Sequence, residues 1–231
     1  MLSDSALISL IENFPVSASL KAADSGKFIV NNVHNSRQFG IENPADMAGL
    51  TIRDVSFRRP DWGLLFSTSV EQLDLRVRET KCHAVGKNEF FDDNGEVQLE
   101  ILTKIPVLGS RGNVLAIATY REDITRTLAP IKIYLMYRKF YGVPEAVRRV
   151  VAFLDIQRYF TAMPTDAQLQ VFFLKWEGWT NKQIARRLGI SDRTVESHCC
   201  ALQRKIAHGN IFQVISLMKR NVPCPHNAIH C

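Results

Sequence analysis

The sequence predicts an α+β protein, in which a five-stranded antiparallel sheet with helices is followed by a helical connector and a C-terminal domain of four helices. Three observations support this fold class. Short runs of alternating polar and apolar residues, separated by turn sequences, fill much of the first 125 residues. Beyond residue 160, apolar residues recur every three or four positions and follow two capping-box sequences. The 231 residues are also enough for two ordinary domains.

Charged residues are distributed unevenly between the first 125 residues and the rest of the chain. Residues 1–125 contain 13 Lys and Arg against 17 Asp and Glu, whereas residues 126–220 contain 16 against 6. A basic half joined to a mildly acidic half is typical of a nucleic-acid-binding module attached to a domain with another role. Apolar runs too short for a bilayer and an N-terminus without a basic signal region predict a cytoplasmic protein with no membrane partner. Five cysteines without a framework spacing predict reduced thiols.

Five strands are predicted before residue 125. Two lie around the turn "DSG" at 24–26, and three more follow residue 88, broken by "NG" at 94–95 and "GSRG" at 109–112. Residues 35–85 are predicted to be helical or irregular. In the fourth strand two rows of side chains alternate, as expected for a sheet with one core face and one wetter face. These rows are Val97, Leu99 and Ile101, and Gln98, Glu100 and Leu102.

Residues 180–206 predict two helices that cross at a short turn. Thr180 and Gln183 fit a capping box at the start of the first helix, and Gly189 ends it. Ser191 or Asp192 can cap the second helix. Its apolar positions recur at four, three and four residues and are expected to face inward: Val195, Cys199, Leu202 and Ile206.

The order of small, flexible and apolar residues at the turn indicates a helix-turn-helix. Ala185 gives a small contact point, Gly189 tolerates a positive φ, and Val195 anchors the second helix. The stretch "GWTNKQIARRLGISDRTVESH" resembles the C-terminal DNA-binding domain of LuxR/FixJ-type bacterial transcription regulators, over about 60 residues from Pro164 to Arg220. The first helix departs from the family pattern, because Gln168 replaces an acidic capping residue and Trp176 replaces a usual Ala.

The resemblance implies double-stranded DNA as a partner, with the second helix of the motif in the major groove. If Val195, Cys199 and Leu202 face inward, the opposite face supplies the candidates for base contacts, which are Arg193, Glu196, Ser197, Cys200 and Arg204. The candidates for phosphate contacts are Lys182, Ser191, Thr194 and Lys205. The alternative for Glu196 is an ion pair with Arg193 three residues earlier.

The first half, ending in Asp123-Ile124-Thr125, resembles a PAS sensory domain, with two strands, a helical insert and three strands. The family's flavin-binding cysteine motif is absent, and His83 is the one candidate for a haem ligand. We therefore expect a small apolar ligand, or no ligand and a role in dimerisation, and assign no cofactor. A haem- or flavin-bearing redox or gas sensor that signals through protein partners remains the alternative function.

The sequence predicts four segments: a PAS-like domain at 1–125, a helical connector at 126–160, the DNA-binding domain at 161–220 and a tail at 221–231. The connector reads as two amphipathic helices broken at "GVP", expected to pack on the sensor or on a partner protomer. Its aromatic residues could cover the sheet or contact phosphates: Tyr134, Tyr137, Phe140 and Tyr141. The tail holds four zinc-type ligands in a spacing that matches no familiar motif, so no metal site is assigned: Cys224, His226, His230 and Cys231.

The function predicted is that of a sequence-specific, dimeric transcription regulator and not an enzyme. The sequence contains no P-loop, nucleophile elbow or HExxH motif. RNA polymerase is a further candidate partner. A sigma-like polymerase subunit would also use a C-terminal helix-turn-helix, but it would lack a β-rich first half. Two dimerising surfaces are predicted. One is the apolar region of the sensor and connector, and the other is the last helix, which alone should dimerise weakly through Ile211, Val214, Ile215 and Met218.

Overall fold

The computed structural model describes residues 4–92 and 94–221. The chain divides into two compact units, Met1–Ile124 and Thr125–Cys231. Among the described residues, no helix is both long and apolar enough to cross a membrane.

The first unit is built on the five predicted strands, all of which are present. Its elements are α1 (Asp4–Glu12), β1 (Ser17–Ala22), β2 (Phe28–Asn31), α2 (Val33–Gln38), a 3-10 helix (Pro44–Met47), α3 (Pro60–Thr80), β3 (Ala84–Phe91), β4 (Val97–Leu108) and β5 (Val114–Asp123). Every pairing in the sheet is antiparallel, and the strand order is β2-β1-β5-β4-β3. The first and last strands of the unit therefore lie side by side, with the helical insert between β2 and β3. This is the PAS-like arrangement that the sequence predicts.

The core of this unit lies between the sheet and the helical insert. Phe66 and Val70 on α3 are buried together with Phe90 on β3. The rings of Phe39 and Phe90 meet edge to face at 5.6 Å, and Phe66 and Phe90 meet at 5.3 Å. Aromatic rings packed edge to face add to the stability gained from burial alone.

One prediction about β4 needs a correction. The side chains alternate as expected, but the row with the charged members faces the core: Glu100, Leu102 and Lys104 are 0%, 1% and 0% exposed. Leu99 and Ile101 are only half buried. A hydrophobic pattern alone would place the charged row toward water. Burial is tolerated because Glu100 lies next to Arg121 and Lys104 pairs with Asp74 inside the unit.

The second unit is all helical. Its elements are 3-10 helices at Thr125–Thr127 and Gln157–Tyr159, and α4 (Pro130–Phe140), α5 (Val143–Phe153), α6 (Asp166–Trp176), α7 (Asn181–Leu188), α8 (Asp192–Gln203) and α9 (Ile211–Asn221). The last four are the predicted helices of the DNA-binding domain. Both predicted capping boxes form, at Thr165 with Gln168 and at Thr180 with Gln183.

The predicted connector is part of this helical unit. Both α4 and α5 pack on α6, which belongs to the DNA-binding domain. Tyr134 and Tyr137 are completely buried, so the sequence-based idea that they contact phosphates is wrong. The sequence predicts that the connector packs on the sensor or on a partner protomer, whereas in the structure its apolar residues pack on α6.

Helix α6 is enclosed by its neighbours. Leu169, Val171, Phe172, Phe173 and Leu174 are each 0% exposed. A helix that is apolar on all sides is stable only when it is surrounded, and here α4 and α5 join α8 and α9 in covering it. Trp176, where the family usually has Ala, is also buried, so the larger side chain is accommodated in the core.

Helix α9 corrects the predicted dimer surface. The stripe formed by Ile211, Val214, Ile215 and Met218 is between 1% and 7% exposed, because it packs within the unit. The apolar residues that α9 presents to solvent are instead Phe212, at 70%, and Leu217, at 42%.

Candidate functional site

The turn between α7 and α8 has the geometry that a helix-turn-helix requires. Gly189 ends α7 in the left-handed conformation, with φ 68° and ψ 32°. Its amide and that of Ile190 both donate to the carbonyl of Ala185, which closes the helix end. Residues with a Cβ pay a steric cost in this region, so glycine is the natural choice.

Helix α8 is fixed at its start by a cap and along its length by a buried stripe. Ser191 is the capping residue, and its Oγ accepts from the amide of Thr194 at 3.1 Å. Val195 and Leu202 are fully buried and Cys199 is half buried. Ile206, predicted as the last member of this stripe, is buried at 8% exposed but lies beyond the end of α8. Since one face of α8 is held inside, the other is presented to solvent in a fixed orientation.

The predicted base-contacting residues all lie on that solvent face. Arg193, Glu196, Ser197, Cys200 and Arg204 are each exposed. No ion pair joins Glu196 to Arg193 among the residues that the structure describes, so neither charge is neutralised by the other. Ser197 Oγ donates to the carbonyl of Arg193 at 2.9 Å, which leaves its oxygen free to accept. The face offers both donors and acceptors to a base edge.

The predicted phosphate contacts differ in how they are placed. Lys182 is exposed in the first turn of α7. The hydroxyls of Ser191 and Thr194 are 2.8 Å apart and serve the cap of α8. Lys205 is half buried, and its Nζ donates to the carbonyl of Met163 at 2.9 Å. Its ammonium is thus engaged within the unit, which sets it apart from Lys182.

Two exposed cations on α7 were left out of the predicted set. Arg186 and Arg187 are both exposed in the last turn of the helix. The guanidinium of Arg187 lies 5.2 Å from the centre of the Trp179 ring, which limits its freedom. Their position three and two residues before the turn glycine is the sequence signal that could have included them.

The interior of the first unit holds a second group of polar residues. Arg121 on β5 is 6% exposed, and its guanidinium lies between 4.6 and 5.4 Å from the centres of the Phe39, Phe66 and Phe90 rings. Its Nη1 is 3.6 Å from Glu100 Oε2 and 3.2 Å from Gln38 Oε1. Burial raises the pKa of Glu100 above its usual range, although Arg121 opposes the shift.

Two buried lysines share one carboxylate beside this group. Lys104 Nζ is 2.5 Å from Asp74 Oδ1, and Lys21 Nζ is 3.5 Å from Asp74 Oδ2. Lys104 also donates to Thr119 Oγ1 at 3.3 Å. Burial lowers the pKa of both lysines, that of Lys21 to about 7. Sequence reasoning missed this cluster, because its members come from β1, β4, β5 and α3.

The residues predicted for haem or metal are placed differently. His83 is exposed just before β3, so it does not point into the interior as a haem ligand would. Cys82, Cys199 and Cys200 are free thiols. The four potential zinc ligands of the tail, Cys224 to Cys231, lie outside the described residues.

The fold and the helix-turn-helix together define a class of protein: a DNA-binding transcription regulator with a PAS-like N-terminal unit. Residues 165–218 match the family described as bacterial regulatory proteins, luxR family. The second unit therefore carries a luxR-type DNA-binding domain. No curated protein is similar enough in sequence to count as a match.

The chain is also similar to several solved structures. The Vibrio cholerae VqmA protein in complex with ligand and DNA is 23% identical, covers 95% of this chain and 88% of its own, and has a TM-score of 0.56. Phage VqmA in complex with DPO is 23% identical, with coverages of 94% and 88% and a TM-score of 0.50. The PAS domain of BvgS from Bordetella pertussis is 16% identical, with coverages of 65% and 96% and a TM-score of 0.45. The likeness to the two VqmA structures establishes the fold.

Proposed function

We propose that the protein binds a two-part site on double-stranded DNA as a homodimer, and that the PAS-like unit controls this binding in response to a small molecule. The observation that carries the proposal is the exposed polar face of α8, opposite the buried Val195 and Leu202. A helix held in this way can enter the major groove with its side chains in a defined register.

The polar residues of α7 and α8 have two different roles in this proposal. Arg193 reads a base, because a guanidinium can donate two bonds to guanine, and Glu196 can accept from a cytosine amino group. Lys182 on α7 holds a phosphate and fixes the position of the domain without reading sequence. Arg186 and Arg187 add positive charge to the same helix.

Dimerisation is proposed because a single helix-turn-helix contacts only a few base pairs. Phe212 on α9, at 70% exposed, is a large apolar side chain that could contact a second copy of the chain. Large exposed aromatic residues are enriched where proteins associate. Two copies joined in this way would bind two half-sites more tightly than either alone.

Control by a small molecule is supported by the polar interior of the first unit. Buried charges are costly unless they are paired, and functional sites are where such groups concentrate. The VqmA structures of similar fold were solved with a ligand, and one of them also with DNA. By analogy, we assign the first unit the role of the sensor.

The test is selection of bound duplexes from a random pool, followed by competition binding with the selected site. A palindromic or directly repeated sequence is the expected outcome. Sedimentation velocity without DNA then compares wild type with Phe212→Glu and with Arg186→Glu, an exposed charge reversal on α7. We expect only Phe212→Glu to shift the protein to monomer. Selection of no sequence, or an unchanged dimer in Phe212→Glu, would contradict the corresponding part of the proposal.

RNA polymerase is the machinery that this regulator would recruit or block. In vitro transcription from the selected site, with purified polymerase, measures the sign of the effect. An unchanged transcript level at saturating protein would remove polymerase from the proposal.

A further inference from the structure

Two stretches of chain outside the α-helices meet at the C-terminal end of α8. They are residues 159–163, which precede α6, and residues 205–207, which follow α8. Phe160 and Ile206 face each other in an antiparallel bridge. We call this contact between the two stretches the clasp.

Main-chain hydrogen bonds hold the clasp together. The amide of Thr161 donates to the carbonyl of Lys205 at 2.7 Å, and the amide of Ala207 donates to the carbonyl of Tyr159 at 2.9 Å. The hydroxyl of Thr161 donates to the same Lys205 carbonyl at 3.1 Å. These bonds run in both directions, so the two stretches are held in one register.

The side chain of Lys205 adds a charged hydrogen bond to the clasp. Its Nζ reaches across and donates to the carbonyl of Met163 at 2.9 Å. The side chain is half buried, whereas Lys182 on α7 is exposed. A hydrogen bond from a charged donor is stronger than one between neutral groups, so Lys205 contributes both its carbonyl and its ammonium to the same contact.

The clasp is anchored to the core of the helical unit. The ring of Phe160 meets that of Phe172 on α6 edge to face at 5.7 Å. Ile206 is 8% exposed. Because Phe172 is itself fully buried, the clasp connects the end of α8 to the most enclosed helix of the unit.

This anchoring matters for the DNA-reading face, because α8 is long relative to the turn that fixes its start. The helix has 12 residues and is therefore about 18 Å long. Its N-terminal end is set by the Gly189 turn and the Ser191 cap. A small rotation about that end would displace the other end most, and there Arg204, a candidate base contact, directly precedes Lys205.

We infer that Lys205 is a positioning residue, whose ammonium holds residues 159–163 against the end of α8 and thereby sets the orientation of the DNA-reading face. The inference rests on the proposed DNA binding. It gives Lys205 a role other than the phosphate contact that an exposed lysine near a recognition helix would make. Groups that contact bases need support that keeps them within about 0.5 Å of their place, and the clasp provides such support.

The two roles of a lysine have different signatures in DNA binding. Loss of a phosphate contact weakens binding to all sequences and reduces the salt dependence by about one counterion. Loss of a positioning residue leaves the salt dependence unchanged but lowers the ratio of affinities for the selected and a scrambled duplex.

The experiment measures both quantities with the full chain, for wild type, Lys205→Met and Lys205→Arg. We expect Lys205→Met to lower the ratio of affinities by about three- to tenfold with an unchanged salt dependence on the scrambled duplex. Lys205→Arg keeps a charged donor and should restore the ratio to within about twofold of wild type. Lys132→Met is the matched control, because it removes one exposed lysine of the same unit and should keep the ratio.

Two further measurements separate positioning from charge and from stability. Thr161→Val removes a hydroxyl of the clasp but no charge, and it should lower the ratio by about twofold or more. Amide hydrogen exchange, followed by nuclear magnetic resonance without DNA, should become about threefold faster or more at Thr161 and Ala207 in Lys205→Met. Lys132→Met should leave the exchange of both amides unchanged.

The inference is overturned if Lys205→Met keeps the ratio of affinities, or if it reduces the salt dependence as loss of a phosphate contact would. It is also overturned if Lys205→Arg behaves like Lys205→Met, or if Lys205→Met lowers the melting temperature while the ratio and the amide exchange stay as in wild type. A wild-type protein that prefers no duplex would remove the proposed function and this role with it. A wild-type protein that discriminates, with variants that discriminate equally, would remove this role alone.

Discussion

Tyr134 on α4 donates a hydrogen bond to Asp166 in the first turn of α6, over 2.5 Å. The bond joins the segment predicted as a connector to the first helix of the DNA-binding domain. Burial, with a further contribution from Asp166, raises the pKa of Tyr134, so the phenol stays protonated and remains a donor.

Replacing Tyr134 with Phe removes this bond and little else. We expect a loss of about 1–2 kcal/mol in the free energy of unfolding, because the acceptor is a carboxylate but Asp166 keeps a second donor in Gln170. Urea denaturation measures the loss. Tyr159→Phe is the control, since Tyr159 is half exposed and its hydroxyl makes no hydrogen bond within the described part of the chain. Equal midpoints for the two variants would show that the Tyr134 bond contributes nothing.

The enclosure of α6 predicts where the DNA-binding fragment must begin. A fragment of residues 161–231 lacks α4 and α5 and would expose part of the apolar surface of α6. We expect a fragment of 126–231 to unfold cooperatively and one of 161–231 to be less stable by several kcal/mol or to aggregate. Circular dichroism melts and gel filtration compare the two. A 161–231 fragment with the same melting temperature would mean that α4 and α5 cover nothing essential.

The turn of the helix-turn-helix depends on the backbone of Gly189. A Cβ added there meets nothing within 4 Å, so the cost of Gly189→Ala comes from φ alone and should be about 1–2 kcal/mol. Gly142→Ala is the matched control, because Gly142 also has open space but a φ of −63°. Thermal melts should separate the two variants. Equal changes in melting temperature would show that the positive φ at position 189 does not strain an alanine.

The different roles proposed for Arg193 and Lys182 predict different effects on DNA binding when each is replaced. Arg193→Ala should cost about 1–3 kcal/mol on the selected site and relax preference at one base position. Lys182→Ala should weaken binding to all sequences alike and reduce the salt dependence by about one counterion. Competition binding at several salt concentrations measures both effects. Identical profiles for the two variants would contradict the roles assigned to them.

The lowered pKa of Lys21 predicts how stability depends on pH. Below about pH 7 the lysine is charged in both the folded and the unfolded chain, and the folded state carries the full cost of burying it. Between about pH 7 and its ordinary value near 10.5, only the unfolded chain stays protonated, so this cost disappears as the pH rises.

Lys21→Met should therefore be more stable relative to wild type at pH 6 than at pH 10, by about 1–4 kcal/mol. The charged groups that face Lys21 are Asp74, Lys104 and Arg121, which remain in both proteins, so the comparison isolates Lys21. Urea midpoints at the two pH values provide the measurement. A constant difference between the proteins would show that Lys21 does not change its protonation over this range.

The local features of the DNA-binding domain could be read from the sequence. Capping at Thr165 and Thr180 depends on residues three positions apart, and the Gly189 turn depends on its immediate neighbours. The burial of Val195 and Leu202 follows from their helical spacing alone. The strands were also predictable, since their turns are short and contain glycine.

The remaining features depend on contacts between distant parts of the chain. Lys104 and Asp74 are 30 residues apart, and Arg121 and Gln38 are 83 apart, so no local pattern shows that these charges share one interior. The face of α9 was assigned wrongly because its apolar stripe would look the same whether it covers α6 or a second protomer. A periodic pattern predicts that a face is buried, but not which surface buries it.

Arg121 is followed by only three residues, Glu122, Asp123 and Ile124, before the helical unit begins at Thr125. An extended strand advances about 3.3 Å per residue, so roughly 13 Å of main chain separate the buried guanidinium from the start of that unit. A shift of β5 by one residue would turn Arg121 away from its aromatic surroundings and at the same time advance the covalent attachment point of the helices. Strand β5 therefore lines the interior of the first unit and is also covalently continuous with the second unit. A displacement of β5 would reach the helical unit through the main chain itself.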